Sequence, residues 1–200
     1  MLIAVIVGIV AVIGSLLPRS YDFESATVID APAKSVFDQV NTIKAWQDWS
    51  QWSPQQFEGL EVEYSGTKAG VGAAQKWNDP RGDGKLWIVE SVPGQKVAYK
   101  LEFAGFPEMS SSIDLSMVAD GAGEGAQTRV VWSSSGKLPG GPFYGFFSPF
   151  FANGMKHQYD ASLERLKALV ENQSSHDGGA NDDAQAEPDP KLEPVGSGQP

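Results

Sequence analysis

Between Leu60 and Gly136 the chain repeats one device six times: a short run rich in β-branched and aromatic residues, then a turn former. The runs are LEVEYSGT, GVGAAQKWND, GKLWIVESV, KVAYKLEFA, SSIDLSMVAD and QTRVVWSSSG. Their clearest separators are DPRGDG at 79–84, VPGQ at 92–95 and DGAGEG at 120–125. Links this short join antiparallel neighbours, because a parallel crossover needs a dozen residues or more. The spacing therefore predicts an antiparallel meander. Val97, Tyr99, Leu101 and Phe103 alternate with Ala98, Lys100 and Glu102, while Ile113, Leu115 and Met117 alternate with Ser112, Asp114 and Ser116. Val130 and Trp132 continue the pattern between Arg129, Val131 and Ser133. One face of the sheet is apolar and requires a cover. Residues 84–92 leave their facing open, since Leu86/Ile88 and Trp87/Val89 both suit an interior.

The cover comes last. After the link KLPGGP, residues 143–171 place Met155, Tyr159, Ser162, Leu163, Leu166 and Val170 at three- and four-residue spacing, one stripe of a helix. Pro149 and Gly154 interrupt its first part, so the regular helix is expected from about Asn153. Ahead of the meander, YDFESATVID at 21–30 alternates as a strand, and APAKSVFDQVNTI sets Val36, Phe37, Val40 and Ile43 at helical spacing behind Pro32. A chain of 200 residues buries a core without staples, so 19–172 is expected to be one domain.

The two ends differ from this middle. Residues 2–17, LIAVIVGIVAVIGSLL, carry no charge and are apolar on every face, which suits a bilayer better than one side of a core. No basic leader precedes the run and no small-residue cleavage site follows it, so residues 1–18 are expected to be a retained single-pass transmembrane anchor. Arg19 alone bears on its orientation, and the side of the membrane stays open. Residues 173–200, rich in Gly, Pro, Ser, Asp and Glu, lack the apolar groups needed to offset ordering entropy and are expected to be a disordered acidic tail. Much of the net charge of −10 sits there. No basic stripe exists for nucleic acid, and the absence of cysteine removes disulfides and thiolate chemistry.

Strand, helix, tryptophan-rich turn, six antiparallel strands and a long final helix is the helix-grip order. The sequence resembles the START/Bet v1-like superfamily, and within it the bacterial polyketide cyclase/dehydrase-type proteins grouped as SRPBCC. The resemblance is carried by IDAPAKSVFDQVNTIKAWQDWSQW at 29–52, GKLWIVESVPGQKVAYKLEF at 84–103, TRVVWSSSG at 128–136 and MKHQYDASLERLKALVE at 155–171. It implies an α+β fold: a curved antiparallel sheet of about seven strands wrapped on the C-terminal helix, here preceded by one transmembrane helix. It also implies an apolar cavity between sheet and helix that accepts a hydrophobic small molecule or lipid. The superfamily spans lipid carriers, hormone receptors, aromatic cyclases and co-chaperone-like domains, so function must be argued from the site.

On the strands, the side chains expected to face such a cavity are Tyr99, Leu101, Phe103, Leu115, Met117 and Trp132. Met155 and Tyr159 join them from the helix, with Trp49 and Trp77 nearby. In AWQDWSQWSP, Trp46, Trp49 and Trp52 lie along one side of a short helical element, as a core plug, a cavity mouth or a partner surface. FYGFFSPFF at 143–151 packs six aromatics before the helix, either as a lid, beneath the sheet edge, or dipping into a bilayer.

No catalytic constellation is visible. His157 falls on the polar side of the helix, and Asp114 and Arg129 fall on strand faces opposite Tyr99. GAGEG at 121–125 joins two strands and lacks the strand-to-helix setting of a phosphate loop. No cofactor is implied. The leading expectation is a membrane-anchored, non-enzymatic binding domain for a hydrophobic small molecule or lipid. A cyclase or dehydratase gains if Tyr99, Gln75 or His157 enters the cavity with a perturbed pKa, and a protein-interaction domain gains if the tryptophans form an exposed patch of several hundred Å².

Overall fold

A computed structural model describes residues 1–57, 59–78, 82–118 and 126–182, with the side chains of 176–182 excepted. The expected turn at 120–125 and part of the one at 79–84 lie outside the described residues, as do residues 183–200 of the expected tail.

Strand β1 (Ser20–Ile29) leads through Pro32, at φ −61°, into helix α2 (Ala33–Asn41), which buries Val36, Phe37 and Val40. A 3₁₀ turn at Ile43–Ala45 and the one-turn helix α3 (Trp46–Trp49) follow. The meander then runs through β2 (Glu61–Ser65), β3 (Ala74–Asn78), β4 (Gly84–Val92), β5 (Lys96–Phe103), β6 (Met109–Met117) and β7 (Thr128–Lys137). Every pairing is antiparallel, and the sheet order is β1-β7-β6-β5-β4-β3-β2. The first strand thus closes on the last.

The structure settles the facing of β4. Leu86 and Ile88 are buried, while Trp87 lies outside with the Lys85 ammonium 4.5 Å from its ring centroid. Val89 is the extra residue of a bulge, because Ile88 pairs with Tyr99 and Glu90 with Ala98. The bulge bends the strand and ends its clean alternation.

Helix α4 (Tyr144–Asp182) lies along β1 and supplies Tyr159, Leu163, Leu166 and Val170 to the core. Burial of the three aliphatic side chains among them is worth about 1.5–3 kcal/mol each. Polar bonds fix its register: Lys167 Nζ donates to the Val28 carbonyl at 2.8 Å, and Glu171 Oε1 accepts the Asp30 N–H at 2.8 Å. Ser162 Oγ donates to Gln158 O and accepts the Gln51 N–H at 2.9 Å, which ties the helix to the tryptophan turn.

Helix α4 departs from expectation at both ends. It starts at Tyr144 rather than near Asn153 and continues through Pro149. Proline forgoes one intrahelical bond, but Ser148 Oγ donates to Ser20 O at 3.0 Å and Phe151 packs 4.9 Å from the Tyr21 ring, so tertiary contacts hold the turn. At the far end it runs to Asp182, past the expected boundary at 172.

Helix α1 (Leu2–Leu16) has 15 residues, a length of about 22 Å against a hydrocarbon core of about 30 Å. No helix among the described residues is long and apolar enough to cross a membrane, which corrects the expected transmembrane span. The physical reason is Pro18: it drives Leu17 to extended backbone, ψ 144°, and ends the helix. The last turn of α1 packs on the start of α4. A Cβ at Gly14 would strike the Pro142 carbonyl and the Phe146 ring, and one at Gly145 would sit 2.7 Å from Gly14 O. The rest of α1 is exposed.

Candidate functional site

A cavity of about 320 Å³ lies between the sheet and α4. Cross-strand pairing builds its floor. Gln75 of β3 pairs with Leu86 of β4, which pairs with Leu101 of β5; one step along, Trp77 pairs with Gly84 and Gly84 with Phe103. These residues all border the cavity apart from Gly84, over which the Trp77 indole lies and which has no room for a Cβ. Tyr99 and Trp132 complete the floor, Phe151, Met155 and Tyr159 form the α4 wall, and Trp46, Ser50 and Trp52 close one end. Phe57, Leu60 and Val62, with Gly82, Asp83 and Phe106, form the remainder.

Aromatic packing makes this end rigid. Trp132 stacks on Tyr159 with centroids 3.9 Å apart, and Trp46, Trp49 and Trp52 each present a ring to Trp132 within 6.4 Å. The three tryptophans of the turn therefore converge on a fourth from β7. Trp46 and Trp52 serve the cavity, whereas Trp49 is fully buried behind it. Trp46 Nε1 donates to Val40 O at 2.9 Å; Trp49 Nε1 is buried without a partner among the described residues.

A chain of hydroxyls crosses the wall. Trp132 Nε1 donates to the Tyr99 hydroxyl at 2.8 Å, which lies 3.2 Å from the Tyr159 hydroxyl, itself 3.3 Å from Ser111 Oγ. Ser111 donates to Ser134 Oγ at 2.8 Å. Burial holds the Tyr99 phenol well above its ordinary value, and the neighbouring Tyr159 adds to this. Tyr159 is also raised by burial, with the Ser111, Tyr99 and Ser134 hydrogen bonds opposing. Both phenols are therefore neutral at ordinary pH and engaged with each other, which suits a structural brace better than an acid or base.

Of the residues expected at the cavity, Tyr99, Leu101, Phe103, Trp132, Met155, Tyr159 and Trp77 lie on its wall. Leu115 is buried in the core away from it, as is Trp49. Met117 is 76% exposed: its parity matches Leu115, but β6 outruns the layer that covers it. His157 is exposed, and Arg129 faces outward. Among the described residues no group of His, Cys, Asp and Glu could hold a metal ion. Sequence reasoning passed over Leu86, Phe106 and Phe151 as wall residues. Leu86 was legible as half of an unresolved alternation, and Phe151 lies four residues before Met155, on its stripe.

The family profile described as "Polyketide cyclase / dehydrase and lipid transport" matches residues 21–171. The chain belongs to that family. Among solved structures, the polyketide cyclase/dehydrase frame seen here is similar to protein CV1439 from Chromobacterium violaceum, 21% identical over 75% of this chain and 96% of that one, with a TM-score of 0.52. It is also similar to the Aha1 dimer from Colwellia psychrerythraea, 17% identical over 76% and 96%, TM-score 0.53. For TTHA0849 from Thermus thermophilus the values are 14%, 77% and 99%, with a TM-score of 0.57. Identities this low establish the shared helix-grip fold and nothing of ligand or activity. No curated protein sequence matches. In this family member the cavity borders hold no histidine, lysine or arginine among the described residues.

Proposed function

We propose that the chain binds a hydrophobic small molecule or lipid in the cavity between the sheet and α4, and does so while associated with a membrane. The observation that carries the first part is the cavity itself: about 320 Å³, walled mainly by aromatic and aliphatic side chains, within the range of small-molecule sites. A cyclase reading would call on Tyr99, which borders the cavity with its phenol pKa raised by burial. That shift keeps the phenol neutral, and its hydroxyl is already hydrogen-bonded to Tyr159 and Trp132. The test is native mass spectrometry of the full chain released from mild detergent, with extraction of whatever accompanies it. A reproducible bound mass supports the proposal; repeated recovery of empty protein, with no displacement of an uncharged fluorescent probe, overturns it.

The membrane part rests on surface chemistry. Helix α1 is uncharged, and all but its buried Gly14 and the half-buried Ala11 are exposed; around residues 142–146, on which it packs, Phe143, Phe147 and Phe150 stand 63%, 52% and 73% exposed. A protein groove needs one apolar face on its guest, whereas apolar chemistry on every face suits hydrocarbon. Too short to cross, α1 would insert into one leaflet with the phenylalanines at its side. Full-length protein should float with phosphatidylcholine vesicles, and Phe147→Asp with Phe150→Asp should lower the bound fraction. Wild-type protein that stays at the bottom of the gradient would refute this part alone.

A further inference from the structure

The geometry points to an uncharged amphiphile as the cavity ligand, one whose hydroxyl, ester or amide group is received by the side-chain amide of Gln75. This rests on the cavity being a ligand site, and it narrows the class of ligand that site takes.

Gln75 occupies an inward position of β3. Its row across the sheet continues through Leu86 and Leu101 to Met109, all buried and apolar, so glutamine breaks the pattern of its own row. The residue is only 8% exposed and borders the cavity, and among the described residues its side-chain amide has no hydrogen-bond partner. The amide opens onto the cavity rather than into packed core, so an apolar ligand that filled the space without pairing it would strand its donors and acceptor. A ligand group that fills the amide's vacant donor and acceptor positions resolves the conflict.

Other polar groups on the wall divide into engaged and available. The Trp46, Trp132, Tyr99 and Tyr159 groups are engaged by protein partners. Ser50, 2% exposed, accepts the Trp52 N–H at 3.1 Å and has no acceptor for its own proton among the described residues. The amide and this hydroxyl are neutral, and both suit a carbonyl or hydroxyl oxygen.

Charge decides against an ionised ligand. Asp83, exposed at the rim, is the one charged residue bordering the cavity among the described residues. A carboxylate or phosphate in the cavity would lose its hydration and meet that like charge without a cation to offset either. A cationic ligand would gain from Asp83 but would leave the amide's donors unused.

The experiment uses the full chain in lipid nanodiscs, with tryptophan-fluorescence titrations referenced to empty nanodiscs so that partitioning cancels. The probes are decanol, decanamide, decanoate, decyltrimethylammonium and the uncharged dye N-phenyl-1-naphthylamine. Decanol and decanamide should bind at least about tenfold more tightly than decanoate, given an uncompensated charge in the latter. Gln75→Met, which keeps side-chain volume, should weaken decanamide by about fivefold, the size of one neutral hydrogen bond, and leave the dye unchanged. Decanoate or decyltrimethylammonium binding as tightly as decanol overturns the inference. An unaltered decanamide affinity in Gln75→Met, with dye binding intact, does the same. In either case the ligand-site reading survives. Failure of every probe, dye included, overturns both. The comparison of probes in wild-type protein stands even if the variant does not fold.

Discussion

Tyr99→Phe removes one oxygen from the middle of a buried chain, and the structure fixes what that costs. The Trp132 Nε1–H, in a residue 1% exposed, loses its acceptor, the Tyr99 hydroxyl at 2.8 Å. Leaving such a donor unsatisfied costs about 1–3 kcal/mol, and loss of the bond to Tyr159 adds about 1 kcal/mol. The expected destabilisation is therefore about 2–4 kcal/mol. Tyr159→Phe should cost less, about 1 kcal/mol, because Ser111 keeps its bond to Ser134 and the Trp132–Tyr99 bond survives. The assay is urea unfolding of the full chain in mild non-ionic detergent, followed by near-ultraviolet circular dichroism. With a slope of about 2 kcal/mol per molar urea, Tyr99→Phe should lower the midpoint by about 1–2 M. In a Trp132→Phe background the donor is already gone, and the same substitution should cost about 1–3 kcal/mol less. A Tyr99→Phe effect below about 0.5 kcal/mol, or a cycle without coupling, would refute the brace.

Stability should be flat from neutral pH to about 9 and fall above about 10. Burial raises Tyr21, Tyr99 and Tyr159, so the unfolded chain releases these protons first and gains by doing so, with a slope approaching about 4 kcal/mol per pH unit for three groups; urea midpoints unchanged between pH 9 and pH 11 would contradict it. Gly14→Ala should separate α1 from α4, since its Cβ meets the Pro142 backbone, and protease cleavage after Arg19 should accelerate while the sheet domain's circular dichroism holds. Leu166→Ala, at a fully buried position, should cost about 2–5 kcal/mol by urea unfolding.

Much of the fold was legible because strand alternation and helix spacing are local. Val97, Tyr99 and Leu101 face inward as their period requires, and the antiparallel order follows from short links. What period cannot supply is depth. Leu115 and Leu101 share a face and both belong to the core, yet only Leu101 also borders the cavity, because the difference lies in where α4 and the tryptophan turn stand above them. Met117 shows the same limit at a strand end. The direction of β4 was ambiguous because both faces are apolar, and a bulge at Val89 is invisible to a pattern of period two. The span was expected from the apolar character of residues 2–17, whose 16 residues reach only about 24 Å as a helix even before Pro18 takes Leu17 out of it. Gln75 was weighed only as a catalytic group, although a polar side chain in an inward row signals either a partner or a ligand.

Helix α4 draws these elements together. Phe147, Phe151, Met155, Tyr159 and Leu163 follow one another at four-residue spacing, so they form a single stripe. Its first member is 52% exposed, the next three wall the cavity, and Leu163 is core. The stripe therefore passes from the apolar surface shared with α1, through the cavity, to the packed interior without a polar break. A ligand that entered at Phe147 would meet apolar surface all the way to Tyr159, and would shed water only once. The same continuity explains why Pro149 is tolerated: the turn it weakens is held from both sides, by Ser148 on β1 and by Gly145 against Gly14 of α1. The α1–α4 junction and the cavity wall are thus parts of one element, and if α1 inserts in a leaflet as proposed, a substitution that loosens the junction should alter ligand access as well as attachment.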